Sequence, residues 1–358
     1  MPYTVPVESI VDDERGKTSQ PGLLFVTQNV RLESTVVDDE VVPKRKTMLA
    51  KSLRPLLSSM RLFGLYFSRP SEKASDDANE KSRKWGAYMM YATGVVVLLW
   101  LNVARVMSIF TNDDKFGFVL LNKLVISVWA IQCAISQTAF YAASRRGVLA
   151  AVFRQHVHES CAAHAQKIAA VYAALSWLFI VVGSGFFTYT IFFSGGLMDG
   201  MLAPIQSHVM ITDLLVPRII VNVFAVYLLA AYIFPHALAF LLAMIFSFQF
   251  KQVERELEKC LDNRERRLTE SDVELLRQKH QEISMTISNV DDSLMFSNAS
   301  AFCSQLFCFI ILLYVLIFYI SVINDPVVIV INIFWMLLLS FGLVLTAAGG
   351  IMVNHYVS

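Results

Sequence analysis

Charged residues are scarce in this chain: Asp, Glu, Lys and Arg make up 16% of its 358 residues, against about 25% in soluble globular domains. Hydrophobic residues make up 56%, and the mean hydropathy is +0.54. Cysteine is also rare, with five residues, which excludes a disulfide-stabilised scaffold. The formal net charge of +1 removes the electrostatic basis for nucleic-acid binding. The composition therefore predicts a polytopic membrane protein.

Sequence motifs of enzymes and cofactor sites are missing as well. The chain contains no GxxxxGK[ST], GxGxxG, HExxH or CxxC motif. His156, His158 and His164 are spaced so that they do not converge on one face of a helix, which argues against a metal site. We therefore expect no enzyme activity, no cofactor and no bound metal.

Long apolar runs are what the chain does contain. A helix needs about 20 apolar residues to cross the roughly 30 Å hydrocarbon core of a bilayer. Six runs meet this length, at about 87–110, 116–143, 168–193, 214–248, 301–323 and 327–352. Pro217 and Pro235 are expected to break the fourth run. Continuous runs favour helices over barrel strands, so the predicted fold is an all-α transmembrane bundle of six spans.

The polar stretches divide the chain into five predicted segments. Residues 1–50 are expected to be a disordered cytoplasmic tail, and residues 51–85 a cytoplasmic juxtamembrane segment. Residues 86–248 hold the first four spans, residues 249–300 form a cytoplasmic amphipathic helical stalk, and residues 301–353 hold the last two spans.

The distribution of positive charge predicts the orientation. Of the 30 Lys and Arg residues, 26 lie in residues 1–85, between spans two and three, or in residues 249–300. Because cytoplasmic loops carry the excess of Lys and Arg, these segments are predicted to be cytoplasmic. We expect a multi-pass protein of the plasma membrane with a cytoplasmic N-terminus. This topology is the inverse of a G-protein-coupled receptor.

The segment 249–300 carries a helical apolar pattern. Ser271 and Glu274 are spaced as a capping box at its restart. Apolar side chains then recur at steps of three and four over three heptads. Two interpretations stay open: a face that packs on its own chain, or an oligomerisation helix. The residues predicted for oligomerisation are Val273, Leu276, Ile283, Ile287 and Leu294.

Ionisable and aromatic residues gather near the predicted external ends of the spans. Burying a charge in a membrane is costly, so such residues are candidates for function. The alternative is that the charges meet lipid headgroups and the aromatic residues form an interfacial belt. The functional interpretation is a pocket between the outer halves of spans three, four and five. The predicted ligand-binding residues are Arg105, Lys123, Phe186, Tyr189, Phe193, Asp213, Arg218 and Tyr319.

Two stretches resemble a known family. PLLSSMRLFGLYFSR (55–69) resembles the segment that precedes the first span of insect gustatory receptors and gustatory-receptor-like proteins. SMTISNVDDSLMFSNASAFCSQLFCFIILLYVLIFYI (284–320) is similar to the same family, as are the long fourth span and the cytoplasmic N-terminus. The resemblance extends from about residue 50 to the C-terminus. It implies a ligand-gated cation channel, a homo- or hetero-tetramer with related receptor subunits, which detects a small organic ligand in an outward-facing pocket.

The seventh span of that family, with its Thr-Tyr-(five apolar)-Gln motif, has no match in this sequence, which ends AAGGIMVNHYVS. Two alternatives therefore stand beside the receptor hypothesis. One is a membrane transporter. The other is a non-conducting accessory or truncated receptor subunit. A transporter would be expected to show paired broken helices in two repeats, and the sequence shows one interrupted span, the fourth.

Overall fold

The structure, a computed structural model, describes residues 46–67, 78–110, 116–193, 215–262, 269–319 and 326–357. Contacts divide the chain into Met1–Pro43, which lies outside these ranges, and Lys44–Ser358. Within the described ranges, six helices are long and apolar enough to cross a membrane. This confirms the six predicted spans.

The described elements follow one another along the chain as two short strands and a series of helices. They are β1 (Lys46–Met48), α1 (Leu49–Ser52), α2 (Arg54–Leu62), α3 (Ala78–Met107), α4 (Phe118–Arg146), α5 (Val148–Phe153), β2 (His156–His158), α6 (Glu159–Phe193), α7 (Leu215–Asp262), α8 (Glu270–Tyr319) and α9 (Pro326–Val357). The six predicted spans lie in α3, α4, α6, α7, α8 and α9. The helices α4 and α9 begin at the same end of the helical bundle, which we call the "loop end".

The helix α7 is the centre of the bundle. In its most apolar window 89% of the residues are buried, whereas the corresponding share is 28% to 39% in the other five spans. A helix that is apolar on all sides is stable only when it is surrounded. Ala230 and Ala231, both buried, let neighbouring helices approach its backbone closely. The other spans therefore pack around α7.

The predicted break of the fourth span is wrong, because α7 continues through both prolines. Pro217 lies in the first helical turn, where a backbone N–H has no acceptor within the helix. Pro235 lies in the buried middle. Proline inside a membrane helix is tolerated when neighbouring helices support the backbone. The dense packing around α7 supplies that support.

The end of the predicted disordered tail is ordered. Residues 46–48 form β1, which pairs antiparallel with β2 so that Lys46 lies opposite His158. The backbone N–H of Leu49 donates to the carbonyl oxygen of Gln155 at 2.9 Å, which extends this contact into α1. Apart from this short pair and the turns that end or join the elements, the described residues are helical, and the prediction for residues 1–45 lies outside the described ranges.

The predicted juxtamembrane segment is part of the bundle core. The ring of Phe63 lies 5.5 Å from that of Trp177 and 5.7 Å from that of Phe234. The indole nitrogen of Trp177 donates to the hydroxyl oxygen of Ser59 at 3.0 Å. Leu56 is fully buried as well. Residues 54–67 therefore fix α6 and α7 to each other rather than merely preceding the first span.

The helix α2 is followed by a left-handed turn at Gly64. Its φ of 69° falls in the region that L-residues with a Cβ avoid. A Cβ at this position would also lie 3.2 Å from Cα of Ala92 in α3. Conformation and close helix approach both require glycine here.

The cap of α8 differs from the predicted Ser271–Glu274 box. The backbone N–H of Asp272 donates to the hydroxyl oxygen of Thr269, and the backbone N–H of Thr269 donates to the Asp272 carboxylate, both at 3.3 Å. This is a reciprocal capping box formed two residues earlier. Glu274 instead accepts hydrogen bonds from the guanidinium of Arg277 at 2.7 and 2.8 Å.

The apolar face of α8 packs largely on its own chain. Leu294 is buried in the main core, and Ile283 and Ile287 pack against that core. Leu276 is half-buried, and Val273 remains 49% exposed. These contacts support the intrachain interpretation for the second half of the face. Oligomerisation through this face stays a prediction.

Two side-chain contacts join the polar extensions of α7 and α8. The ammonium of Lys279 lies 2.7 Å from the carboxylate of Glu256. The rings of His280 and Phe250 have centroids 5.2 Å apart. The two extensions therefore run side by side beyond the apolar part of the bundle.

Candidate functional site

A cavity of about 90 Å³ lies between α4, α6, α8 and α9 near the loop end. We call it the Trp335 cavity. Its walls are mainly apolar, with a few polar side chains among them. Residues that define it are Asn122, Trp129, Phe187, Cys308, Asn332 and Trp335. This composition is typical of sites for small organic molecules.

Three aromatic rings from three helices form one wall of the cavity. Trp129 stacks on Phe187 with centroids 5.8 Å apart and an interplanar angle of 17°. Trp335 lies 5.5 Å from Trp129 and 5.4 Å from Phe187. Aromatic pairs at these distances each contribute about 0.5–1.5 kcal/mol beyond area burial. The wall is therefore held rigidly by mutual contacts of α4, α6 and α9.

The side-chain amides of Asn122 and Asn332 donate hydrogen bonds to backbone carbonyl oxygens of their own helices. Nδ2 of Asn122 donates to the Phe118 carbonyl oxygen at 3.0 Å, and Nδ2 of Asn332 donates to that of Val328 at 2.8 Å. The amide oxygens then remain as acceptors for a bound molecule. Nε1 of Trp129 is buried and has no hydrogen-bond partner among the described residues. A ligand that carries a hydroxyl group matches this set, because it can donate and accept.

The predicted cations make local contacts at the loop end. The ammonium of Lys123 donates to the carbonyl oxygen of Ile109 at 3.1 Å, two residues beyond the end of α3. Nε of Arg105 donates to the side-chain oxygen of Asn102 at 3.1 Å, within α3. The Arg218 guanidinium lies 5.8 Å from the centre of the Phe192 ring. These contacts lie within a helix or between neighbouring helices, and Nε of Arg218 is buried without a hydrogen-bond partner among the described residues.

The predicted aromatic residues also lie at helix contacts. The ring of Phe186 lies 4.9 Å from that of Phe334, and the ring of Tyr319 lies 6.4 Å from that of Phe118. Tyr189 is half-buried on α6. The side chain of Phe193 and all of Asp213 lie outside the described residues.

The structure does not bring the predicted ligand-binding residues together at the cavity. Of those it describes, none lines the Trp335 cavity. Among the described lining residues none comes from α7, whereas the predicted pocket included the fourth span. Their role in ligand binding stays a prediction.

The sequence contained a signal for the residues that do line the cavity. Asn122 and Asn332 are amides inside apolar runs, where a polar side chain needs a partner in a neighbouring helix or a ligand. Trp129 and Trp335 occur well within spans two and six rather than at their ends, so an interfacial belt does not account for them.

Comparisons with known proteins assign no family to the chain. No protein-family model matches the chain, and a search of curated proteins finds no match. Over the ranges that the structure describes, no group of three or more His, Cys, Asp or Glu side chains is placed to hold a metal ion. The fold and cavity define a helical membrane protein with six apolar helices and a small apolar site.

Proposed function

We propose that the chain is a chemosensory receptor of the plasma membrane, of gustatory-receptor-like type. It binds a small organic molecule in the Trp335 cavity and acts as a subunit of a ligand-gated cation channel. The observation that carries this proposal is the cavity itself, with its aromatic wall, two amide oxygens and the unpaired indole N–H of Trp129. In the orientation predicted from the charge distribution, the cavity lies toward the outside.

The chemistry of the lining limits the ligand to a class. An aromatic or branched apolar body fits against Trp129, Phe187 and Trp335, because apolar burial supplies most of the binding free energy. One hydroxyl group can donate to an amide oxygen of Asn122 or Asn332. An ionised ligand fits poorly, because the cavity lining among the described residues holds no charged side chain.

Photolabelling tests the site without knowledge of the natural ligand. A benzyl alcohol that carries a diazirine should cross-link to residues of α4, α6 and α9 around the cavity, and excess benzyl alcohol should suppress this labelling. Trp335→Leu should weaken labelling about 2- to 12-fold, the equivalent of one lost aromatic pair. Trp100→Leu is the matched control, because Trp100 is 43% exposed and does not line the cavity. If excess benzyl alcohol leaves the labelling unchanged, the proposal is contradicted.

Two further measurements address orientation and conduction. Epitope tags at both termini should be inaccessible on intact cells, and a tag inserted near Asp199 should be accessible. An exposed N-terminal tag would reverse the orientation. Currents evoked by benzyl alcohol in cells that express the chain would support the channel. Cavity labelling without such currents, alone or with related subunits, would favour a non-conducting accessory subunit.

A further inference from the structure

A second and larger cavity lies between α7, α8 and α9 on the side away from the loop end. Its volume is about 630 Å³, and α4 contributes one residue, Ser136. We call it the Ser297 cavity. Its walls include Phe246, Leu294 and Leu345. Nothing in the receptor proposal uses this space.

Polar side chains line the deep part of the Ser297 cavity. Ser136 is 1% exposed and Ser297 is 2% exposed. The Ser297 hydroxyl donates to the Ser136 hydroxyl at 3.3 Å, and Nε2 of Gln132 donates to that same hydroxyl at 3.0 Å. His236 also lines the cavity. Contact of such groups with a lipid chain is costly, whereas water or a hydroxylic solute can pair with them. The rest of the lining is mainly apolar, so the cavity is suited to a small uncharged solute that carries a hydroxyl group.

A polar partition separates this cavity from the Trp335 cavity. Nδ1 of His236 lies 2.6 Å from the carbonyl oxygen of Tyr232, which can only accept, so Nδ1 carries a proton. Nε2 of His236 is then the acceptor in the neutral ring, and it receives a hydrogen bond from Nε2 of Gln305 at 2.5 Å. The partition consists of the side chains of Tyr232 and His236 on α7 and of Gln305 on α8. The rings of Tyr232 and Trp129 are 6.4 Å apart, which joins the partition to the aromatic wall.

The two cavities and the partition are stacked along the same helices. On α8, Cys308 lines the Trp335 cavity, Gln305 belongs to the partition, and Phe302 lines the Ser297 cavity. On α9, Trp335 and Thr346 line the two cavities in the same order. The two cavities therefore lie one after the other along α8 and α9, at different depths of the bundle.

The partition is polar and not fully paired. The hydroxyl oxygen of Tyr232 and Oε1 of Gln305 are buried without hydrogen-bond partners among the described residues. A void of about 30 Å³ lined by Tyr232, His236 and Gly342 adjoins the partition. Such a void has room for about two water molecules at roughly 10–15 Å³ each. A hydroxylic solute that reaches this point finds both a donor and an acceptor.

We propose that the chain encloses a two-cavity path for small uncharged solutes, closed at its middle by Tyr232, His236 and Gln305. The path is suited to uncharged solutes. Among the described lining residues of both cavities, Asp291 is the one charged side chain, and it is exposed to solvent. A buried ion would have no counter-charge along the way. This activity goes beyond the receptor proposal and requires no ligand in the Trp335 cavity.

Cysteine accessibility tests whether the Ser297 cavity contains water. The full chain, with its native cysteines replaced by serine, is reconstituted in sealed vesicles and treated with an uncharged, sugar-conjugated methanethiosulfonate that does not cross bilayers. Ser297→Cys should react from one face of the membrane only. Ile310→Cys, 56% exposed on the same helix, should be unreactive because its thiol faces lipid. Thr346→Cys is the second probe, in case Ser297→Cys folds poorly. Failure of both cysteines to react overturns the proposal.

A second experiment tests the partition. In a chain that retains Cys308 alone, the thiol should be protected from reagent added on the face that reaches Ser297. Gln305→Ala should expose Cys308 from that face and should accelerate glycerol entry measured by light scattering. Gln281→Ala, on the exposed polar part of α8, should do neither. Continued protection of Cys308 with unchanged glycerol entry overturns the path. Photolabelling of the Trp335 cavity in the same vesicles reports separately on the receptor proposal.

Discussion

The substitution Gly342→Ala probes the closest contact between α9 and the partition. A Cβ at Gly342 would lie 2.8 Å from Nε2 of Gln305 and 3.0 Å from the hydroxyl oxygen of Tyr232. Gln305 is 1% exposed and is hydrogen-bonded to His236, so its amide cannot yield without losing that bond. Overpacking costs about 1–3 kcal/mol, and a buried imidazole nitrogen left unpaired costs about 1–3 kcal/mol more.

The matched control is Gly350→Ala on the same helix. A Cβ at Gly350 meets nothing within 4 Å. Both variants gain the roughly 0.5–1 kcal/mol that alanine gives a helix interior, so this gain cancels in the comparison. The free energy of unfolding of Gly342→Ala should therefore lie about 2–6 kcal/mol below that of Gly350→Ala.

Thermal unfolding of the purified chain in detergent measures the difference. Gly350→Ala should unfold at or above the parent temperature, and Gly342→Ala several degrees below it. Adding Gln305→Ala to Gly342→Ala removes the nearest clashing atom, so the double variant should lose less stability than the two single losses added together. Equal unfolding temperatures for the two glycine variants would refute the described packing of α9 on Gln305.

Two further predictions concern the α8 face and the left-handed turn. Ile287→Asp should destabilise the chain by about 2 kcal/mol or more, because a charge enters the packed face. Met285→Asp, at a position 54% exposed, should stay within about 0.5 kcal/mol of the parent, and equal effects in thermal unfolding would contradict the packing. Gly64→Ala should cost about 1–2 kcal/mol for its left-handed backbone, plus the 3.2 Å contact with α3. Gly147 has a φ of 79°, and a Cβ there would meet nothing within 4 Å, so Gly147→Ala should lose only the stability due to the left-handed backbone. A Gly64→Ala variant as stable as Gly147→Ala would show that the α3 contact is absent.

The six spans could be predicted because apolar length is a local property of the sequence. The effect of Pro235 could not, since a proline breaks or bends a helix according to what surrounds it. The cap of α8 illustrates a smaller ambiguity. In the run TESDVE, Thr269 with Asp272 and Ser271 with Glu274 both have capping-box spacing. The structure uses the first pair, and nothing in the spacing alone distinguishes them.

The candidate site was harder to predict than the fold, because it depends on which helix faces meet. Lys123 and Arg218 stand out in the sequence as charges near a membrane interior, yet their contacts are with a carbonyl oxygen and an aromatic ring at helix ends, away from the cavity. Trp129 and Trp335 are about two hundred residues apart, and only the tertiary fold brings their rings within 5.5 Å of each other. This ring contact cannot be predicted from the spacing of the two residues in the sequence.

The unbroken course of α8 has a mechanical consequence. Lys279 and Cys308 are 29 residues apart on this helix, which at 1.5 Å per residue is about 44 Å. A stiff rod of that length acts as a lever: a tilt of about 5° at Cys308 displaces the Lys279 end by about 4 Å. The ion pair of Lys279 with Glu256 would draw the polar end of α7 along with it. A tilt of α8 at the level of Cys308 would therefore move the polar ends of α7 and α8 together by several ångströms.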